Sequence, residues 1–214
     1  MEWIVTAREM KYCDTNTIEY FGVPSLVLME RAALKTVEFI GQKNYSLRKT
    51  LIVCGTGNNG GDGLAVARLL FLKGCAVEGL VMGDKKHFSK EAKDQYEICL
   101  QYHVPMIDQL LAEDYSLVID ALFGIGLGRN IEAVYAEVID RVNQMQAVRV
   151  AVDMPSGIAA DTGSVMGTAF RADATVTFGY RKAGQVFYPG SGYVGELCVA
   201  DIGIGAPSWM DKKP

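Results

Sequence analysis

The sequence predicts an α/β fold built on a mostly parallel sheet with helices on both faces, preceded by two helices. Three observations predict it. Strand-like and helix-like segments alternate from residue 51 to residue 152, three loops rich in glycine or acid each follow a strand-like run, and two helical patterns come before the first strand. Alternation is informative because parallel neighbours need a crossover, usually a helix.

Thr6 and Glu9 have the spacing of a capping box, so a first helix runs from about residue 7 to residue 20. Gly22 and Pro24 break it. Ser25 then caps a second helix, whose Leu26, Met29, Ala33, Val37 and Ile40 recur at helical spacing before Gly41 stops it. Residues 51–54, 76–82, 117–121 and 148–152 read as strands, and residues 64–73, 90–102 and 131–145 as the helices between them. Residues 174–178 and 195–200 read as two further strands joined by Gly- and Pro-containing loops; they either extend the sheet or fold over one edge. No internal repeat, low-complexity segment or interdomain linker interrupts the chain, so residues 1–214 are expected to form one domain.

Half of the 214 residues are hydrophobic, enough for a real core. The formal charge of -4 and the lack of clustered Lys and Arg exclude nonspecific affinity for nucleic acid. Cys13, Cys54, Cys75, Cys99 and Cys198 are far apart, with no CxxC pair, which fits a reduced cytoplasmic compartment. The opening MEWIVTAREMK carries charge before any long apolar stretch, unlike a secretory signal. No apolar run approaches the roughly 20 residues a membrane-spanning helix needs.

The stretch CGTGNNGGDG, residues 54–63, follows a strand and starts a helix, the setting of a phosphate-binding loop. An NAD redox fold would add an acid about 20 residues on, at the end of the next strand. Glu78 falls mid-strand and Asp84 lies nearer the strand end, so neither fits. Asn58, Asn59 and Asp62 put polar side chains where small apolar ones suffice; they either act on a ligand or cap the following helix. A second loop, DALFGIGLGRN, runs from Asp120 to Asn130; its Arg129 either pairs with a phosphate or is a surface arginine in a flexible turn. A third strand end carries Asp153 and Ser156. Carboxyl ends of parallel strands line one crevice, so Asp62, Asp120 and Asp153 should converge there. Asp120 and Asp153, with oxygens of Asn59 and Ser156, are also an oxygen set suited to a hard cation. His87 and His103 are flanked by helix-like sequence and are expected at the surface or at helix ends.

Taken in order, GTGNNGGDG, DALFGIGLGRN, VDMPSGIAADTG at residues 152–163 and ATVTFGYRKAG at residues 174–184 resemble the NAD(P)H-hydrate epimerase family. The agreement covers almost the whole chain. The resemblance implies a Rossmann-like three-layer αβα sandwich, usually a homodimer, that interconverts the R and S epimers of hydrated NADH or NADPH. It implies a functional partner, an ADP- or ATP-dependent dehydratase acting on the S form and fused to the epimerase in many members. This chain ends at Pro214 without one, so it is expected to be a free-standing epimerase or an excised half. By position, the substrate loops match Asn58, Asn59, Gly60, Gly61 and Asp62, and Gly124, Ile125, Gly126, Leu127, Gly128, Arg129 and Asn130. Tyr135 and Asp153 match further substrate contacts, and Asn59, Asp120 and Ser156 match potassium ligands.

Epimerisation requires the hydroxyl-bearing carbon to lose and regain its configuration. Asp153 is expected to be the general acid/base, its pKa moved toward neutrality beside an apolar ring. Lys182 is a weaker candidate, since a loop lysine is usually solvated. Potassium is expected to organise loops. Two rivals are an NAD-dependent oxidoreductase, which lacks its ribose acid and a Tyr–Lys pair here, and a noncatalytic nucleotide-binding module.

Overall fold

The structure is a computed structural model that describes residues 3–110 and 114–205. Met1, Glu2 and Pro214, on which the expectations about leader and fused partner draw, lie outside the described residues. In chain order the elements are β1 (Ile4–Val5), α1 (Ala7–Glu19), α2 (Ser25–Gln42), β2 (Thr50–Cys54), α3 (Asn58–Leu72), β3 (Val77–Val81), α4 (Lys90–Gln101) and β4 (Met106–Ile107). There follow β5 (Leu117–Ala121), α5 (Ala133–Gln144), β6 (Val148–Val152), β7 (Ala174–Phe178), β8 (Arg181–Lys182), α6 (Ala183–Val186) and β9 (Glu196–Ala200).

Seven strands form one sheet in the order β4-β3-β2-β5-β6-β7-β9, every neighbouring pair parallel. The last third thus extends the sheet. β2, β5 and β7 are buried at every residue, as strands covered on both faces must be. Alternate residues serve two cores. Ile52, Cys54, Ile119 and Val152 pack with Leu28, Val37, Leu64 and Leu70 of α2 and α3, while Leu51, Val53, Val118 and Ala151 pack with Val138, Ile139 and Val142 of α5. Each fully buried Leu or Ile contributes about 1.5–3 kcal/mol. The short β1 pairs with β8 and ties α1 to the carboxyl end of β7. No helix among the described residues is long and apolar enough to cross a membrane.

The capping box forms: Glu9 N donates to Thr6 Oγ1 at 3.2 Å and Thr6 N donates to Glu9 Oε2 at 2.8 Å. Two expectations about helix starts are corrected. Ser25 is the first residue of α2 behind Pro24, and its hydroxyl donates to Glu91 Oε1 at 2.7 Å instead of capping. α3 begins at Asn58, six residues before the expected start at Leu64, and no side chain caps it. The glycines make it helical by packing, against their low helix propensity. A Cβ on Gly60 would lie 1.8 Å from Gly55 O, and one on Gly63 2.4 Å from Ala121 Cβ, so only a bare backbone turn fits against the strands. The two asparagines therefore stand in the first helical turn, and the capping reading of Asn58, Asn59 and Asp62 falls.

Candidate active site

β2 and β5 are neighbours whose following elements part, β2 leading through α3 to β3 on one side while β5 leads through α5 to β6 on the other. That divergence opens a crevice at their carboxyl ends. Its floor is tight: a Cβ on Gly55 would fall 2.1 Å from Leu122 O, which binds the loop after β2 to the loop after β5. The free N–H groups of the first turn of α3 face an opening of about 630 Å³. Its lining mixes two chemistries: Met10, Ile18, Leu28, Phe178, Ile202 and Ile204 are apolar, and Asn58, Asn59, Asp62, Asp153, Lys182 and Asp14 are polar or charged.

Behind the lining, Asp120 joins the second and third loops. Ser156 N donates to Asp120 Oδ2 at 2.7 Å, and Ser156 Oγ donates to Asp120 Oδ1 at the same distance. Phe123 N donates to Ser156 Oγ at 2.9 Å, and Leu122 N donates to Asp120 Oδ1 at 3.2 Å. Burial pushes the Asp120 carboxyl up to about 6, against the pull of these donors, and no cation of the protein pairs with it among the described residues. Asn59 packs against the second loop, its amide 3.3 Å from where a Cβ on Gly124 would sit, and both its Oδ1 and its Nδ2 are buried without a hydrogen-bond partner among the described residues. Leaving such a group unpaired costs about 1–3 kcal/mol. A buried carboxylate with no ion pair among the described residues and an orphaned amide oxygen on the neighbouring loop are donors of the kind a hard cation of low charge takes. Among the described residues no three His, Cys, Asp or Glu side chains gather as a transition-metal site would require. Asn59, Asp120 and Ser156 thus fit an alkali cation. Asp153 gives one oxygen, Oδ1, to Lys182, Thr177 and Phe178.

Asp153 holds a left-handed backbone, φ 64°, that non-glycine residues rarely adopt. Its Oδ1 accepts from Lys182 Nζ at 2.5 Å, from Thr177 Oγ1 at 3.2 Å and from Phe178 N at 3.4 Å. Gln185 Nε2 donates to its carbonyl at 2.7 Å. Lys182 is fully buried, contrary to the expectation of a solvated loop lysine. Its ammonium also donates to Thr177 Oγ1 at 2.8 Å and Phe178 O at 2.9 Å, so all three N–H groups are occupied and its charge is tolerable in the interior. Two more carboxyls share the cavity without an ion-pair partner among the described residues. Asp62 is pushed well above the usual carboxylate range by burial, then by Asp153 and Asp14, with Lys182 pulling the other way. Asp14 is raised by burial and by Asp153, again with Lys182 opposing. Both raised carboxyls are thus neighbours of the Asp153–Lys182 pair.

Of the residues read from sequence, Asn58, Asn59, Asp62, Gly124, Ile125, Gly126, Leu127 and Asp153 line the cavity. Gly60 and Gly61 are buried beneath it, and Asp120 and Ser156 stand behind its wall. Gly128, Arg129 and Asn130 are exposed outside it. Tyr135 stacks on Phe123, ring centroids 5.4 Å apart, and abuts Gly83. Both acids considered for a ribose are engaged elsewhere: Glu78 accepts from Tyr115 at 2.6 Å and pairs with Lys49 at 3.1 Å, while Asp84 accepts from Lys86 N. His103 ends α4 at φ 58°, as a helix-end residue, and His87 is exposed in the turn after β3, a strand-end turn that the sequence reading did not assign to it. Sequence reasoning missed Asp14. The signal was present, since Asp14 lies four residues from both Met10 and Ile18 on an otherwise apolar stripe of α1.

A three-layer α/β protein with a glycine-lined helix start and an acidic crevice at one sheet edge belongs to the class that holds nucleotide-like ligands at strand ends. Within that class, residues 25–184 match the family described as YjeF-related protein N-terminus, and the chain belongs to that family. Similar proteins include the NAD(P)H-hydrate epimerase of Limosilactobacillus fermentum, 49% identical over 201 residues, 94% of this chain and 97% of that one. The NAD(P)H-hydrate epimerase of Oenococcus oeni is 42% identical over 205 residues, 95% and 98% of the two chains. The crystal structure of yeast ynu0, YNL200c, shares the fold with a TM-score of 0.79 at 19% identity, over 96% of this chain and 90% of that one.

Proposed function

We propose that this chain is an NAD(P)H-hydrate epimerase, interconverting the R and S forms of hydrated NADH and NADPH, with residues 1–214 acting as one epimerase domain. The observation that carries the reading is a single cavity in which a helix start suited to a diphosphate meets acidic residues suited to a cationic ring. Near-full-length identity to NAD(P)H-hydrate epimerases supports the same reaction.

The bond from ring carbon to hydroxyl breaks as the oxygen takes a proton and leaves as water, and the ring nitrogen's electron pair completes a planar cation. Water then adds to either face and returns the proton. Asp153 is assigned to the reacting ring, with Oδ1 fixed by Lys182 and Oδ2 left for the substrate. Among the described residues Lys182 pairs with Asp153, while burial raises Asp62 and Asp14 beside that pair, which favours a proton held for transfer to oxygen. The apolar residues take the face of the nicotinamide and exclude bulk water. Asn58, Asn59, Gly60, Gly61 and Asp62, with residues 124–130 and Tyr135, are assigned to the rest of the dinucleotide. Asn59, Asp120 and Ser156 would hold potassium, whose charge neutralises buried Asp120 and keeps the two loops in register. The working unit is a homodimer in the cytoplasm, supplying the S form to an ADP- or ATP-dependent dehydratase that is separate or fused.

Hydrate enriched in the R epimer, incubated with the protein in ¹⁸O-labelled water and followed by chromatography and mass spectrometry, tests the reading. Equilibration of the epimers with label gained at each inversion is expected. Failure to equilibrate either hydrate overturns the function, and equilibration without label overturns the departure of the hydroxyl.

A further inference from the structure

The turn after β3 concentrates positive charge on a chain whose net charge is -4: residues 84–90 read Asp-Lys-Lys-His-Phe-Ser-Lys. Gly83, at φ 107°, starts it. Asp84 then closes a single 3-10 turn, Lys85–His87, by accepting from Lys86 N at 2.9 Å. Lys85 is aimed by Tyr96, with Nζ 2.8 Å from the phenol oxygen and 4.9 Å from the ring centroid. Lys85, Lys86 and His87 are exposed, and the side chains of Lys86 and His87 have no partner among the described residues.

This turn adjoins the substrate crevice. Ser89 N donates to Thr56 O and Met82 N donates to Cys54 O, each at 2.8 Å, which fixes the turn to the glycine-rich loop. Thr56 itself lines the cavity, and a Cβ on Gly83 would meet Tyr135 Oη at 2.8 Å and Thr56 Cγ2 at 3.3 Å. The turn that carries the cations is therefore packed directly against Thr56 of the cavity lining. In open parallel α/β sheets, the end of the strand beside the glycine-rich loop reads the adenosine ribose, by an acid for a free 2′-hydroxyl or by a cation for a 2′-phosphate. Of the acids that could serve the hydroxyl, Glu78 is taken up by Tyr115 and Lys49, and Asp84 gives its Oδ1 to its own turn. The cavity wall itself is acidic, so these cations suit the far, phosphorylated end of the ligand.

We propose that Lys85, Lys86 and His87 form a subsite for the 2′-phosphate of the adenosine end of hydrated NADPH, and so favour that hydrate over hydrated NADH. This rests on the epimerase reading. The test compares kcat/KM for the two hydrates in wild type, Lys86→Ala, the Lys85→Ala/Lys86→Ala pair and Lys86→Arg. Loss of a charge-assisted contact lowers the NADPH-to-NADH ratio about tenfold, and Lys86→Arg keeps it. An unchanged ratio, or equal loss for both hydrates as a pyrophosphate contact would give, overturns the subsite. Calorimetric binding of adenosine 2′,5′-bisphosphate against adenosine 5′-diphosphate separates the two readings. Wild type prefers the former and the double variant does not, even if neither hydrate is turned over; equal binding by wild type overturns the subsite while leaving the epimerase untouched.

Discussion

At the amino edge of the sheet the charged side chains close on one another, whereas at the carboxyl edge, among the described residues, Asp14, Asp62 and Asp120 are without an ion pair. Arg48 pairs with Asp114 at 2.7 Å and Arg149 with Asp173 at 3.4 Å in the lining of a cleft of about 700 Å³, and Lys49 pairs with Glu78 at 3.1 Å. The carboxyl-edge cavity is no larger, at about 630 Å³, yet among the described residues it holds two carboxyls without ion pairs, a buried amide without partners and a left-handed aspartate. Size does not separate the two clefts. Unsatisfied polarity does, because a fold retains such costs where a ligand relieves them.

The widest expected separation between the edges is in turnover. Asp153→Asn lowers kcat for epimerisation roughly 10²–10⁴-fold, whereas Arg149→Ala leaves kcat at the wild-type value; parallel rate measurements on both variants check this. The next is in packing. Gly60→Ala puts a methyl into Gly55 O, while Gly57 has open space at the same loop. Gly60→Ala is expected to destabilise by about 1–3 kcal/mol, or about 2–4 °C in Tm per kcal/mol, and Gly57→Ala by much less, as thermal unfolding would record.

A comparable or smaller effect belongs to the cation. Titrating KCl against choline chloride at constant ionic strength should raise Tm by an amount worth about 1–3 kcal/mol at saturation, and Asp120→Asn should abolish the rise. Indifference of wild type to potassium would remove the cation from this edge. The smallest effect is a pH dependence. The folded chain holds a proton on Asp62 more tightly than the unfolded chain does, since burial, Asp153 and Asp14 raise its carboxyl. Its contribution to stability is full below the ordinary carboxylate range and is lost as pH rises through the raised value. Asp62→Asn removes that loss, so its Tm relative to wild type should be higher at pH 8 than at pH 5.

The layered fold was legible because its signals are local and repeated: Thr6 with Glu9 for the first helix, and alternating cores for the strands. The start of α3 was not, because glycines at 60, 61 and 63 argue against helix until the strand carbonyl and side chains they pack against are known. The glycine loops and Asp153 were legible as strand-end residues. Lys182 was not, since only the close approach of Asp153, Thr177 and Phe178 makes a buried lysine tolerable. Asp14 reaches the cavity from the first helix, far in sequence from every loop motif, and only its place on an apolar stripe hinted at it.

The most direct test is an NMR time course of hydrated NADH enriched in one epimer, in potassium buffer, with wild type, Asp153→Asn and Arg149→Ala at equal concentration. The account predicts rapid approach to the R/S equilibrium with wild type and Arg149→Ala, and an approach roughly 10²–10⁴-fold slower with Asp153→Asn. Equal acceleration by Asp153→Asn, or none by wild type, would contradict it.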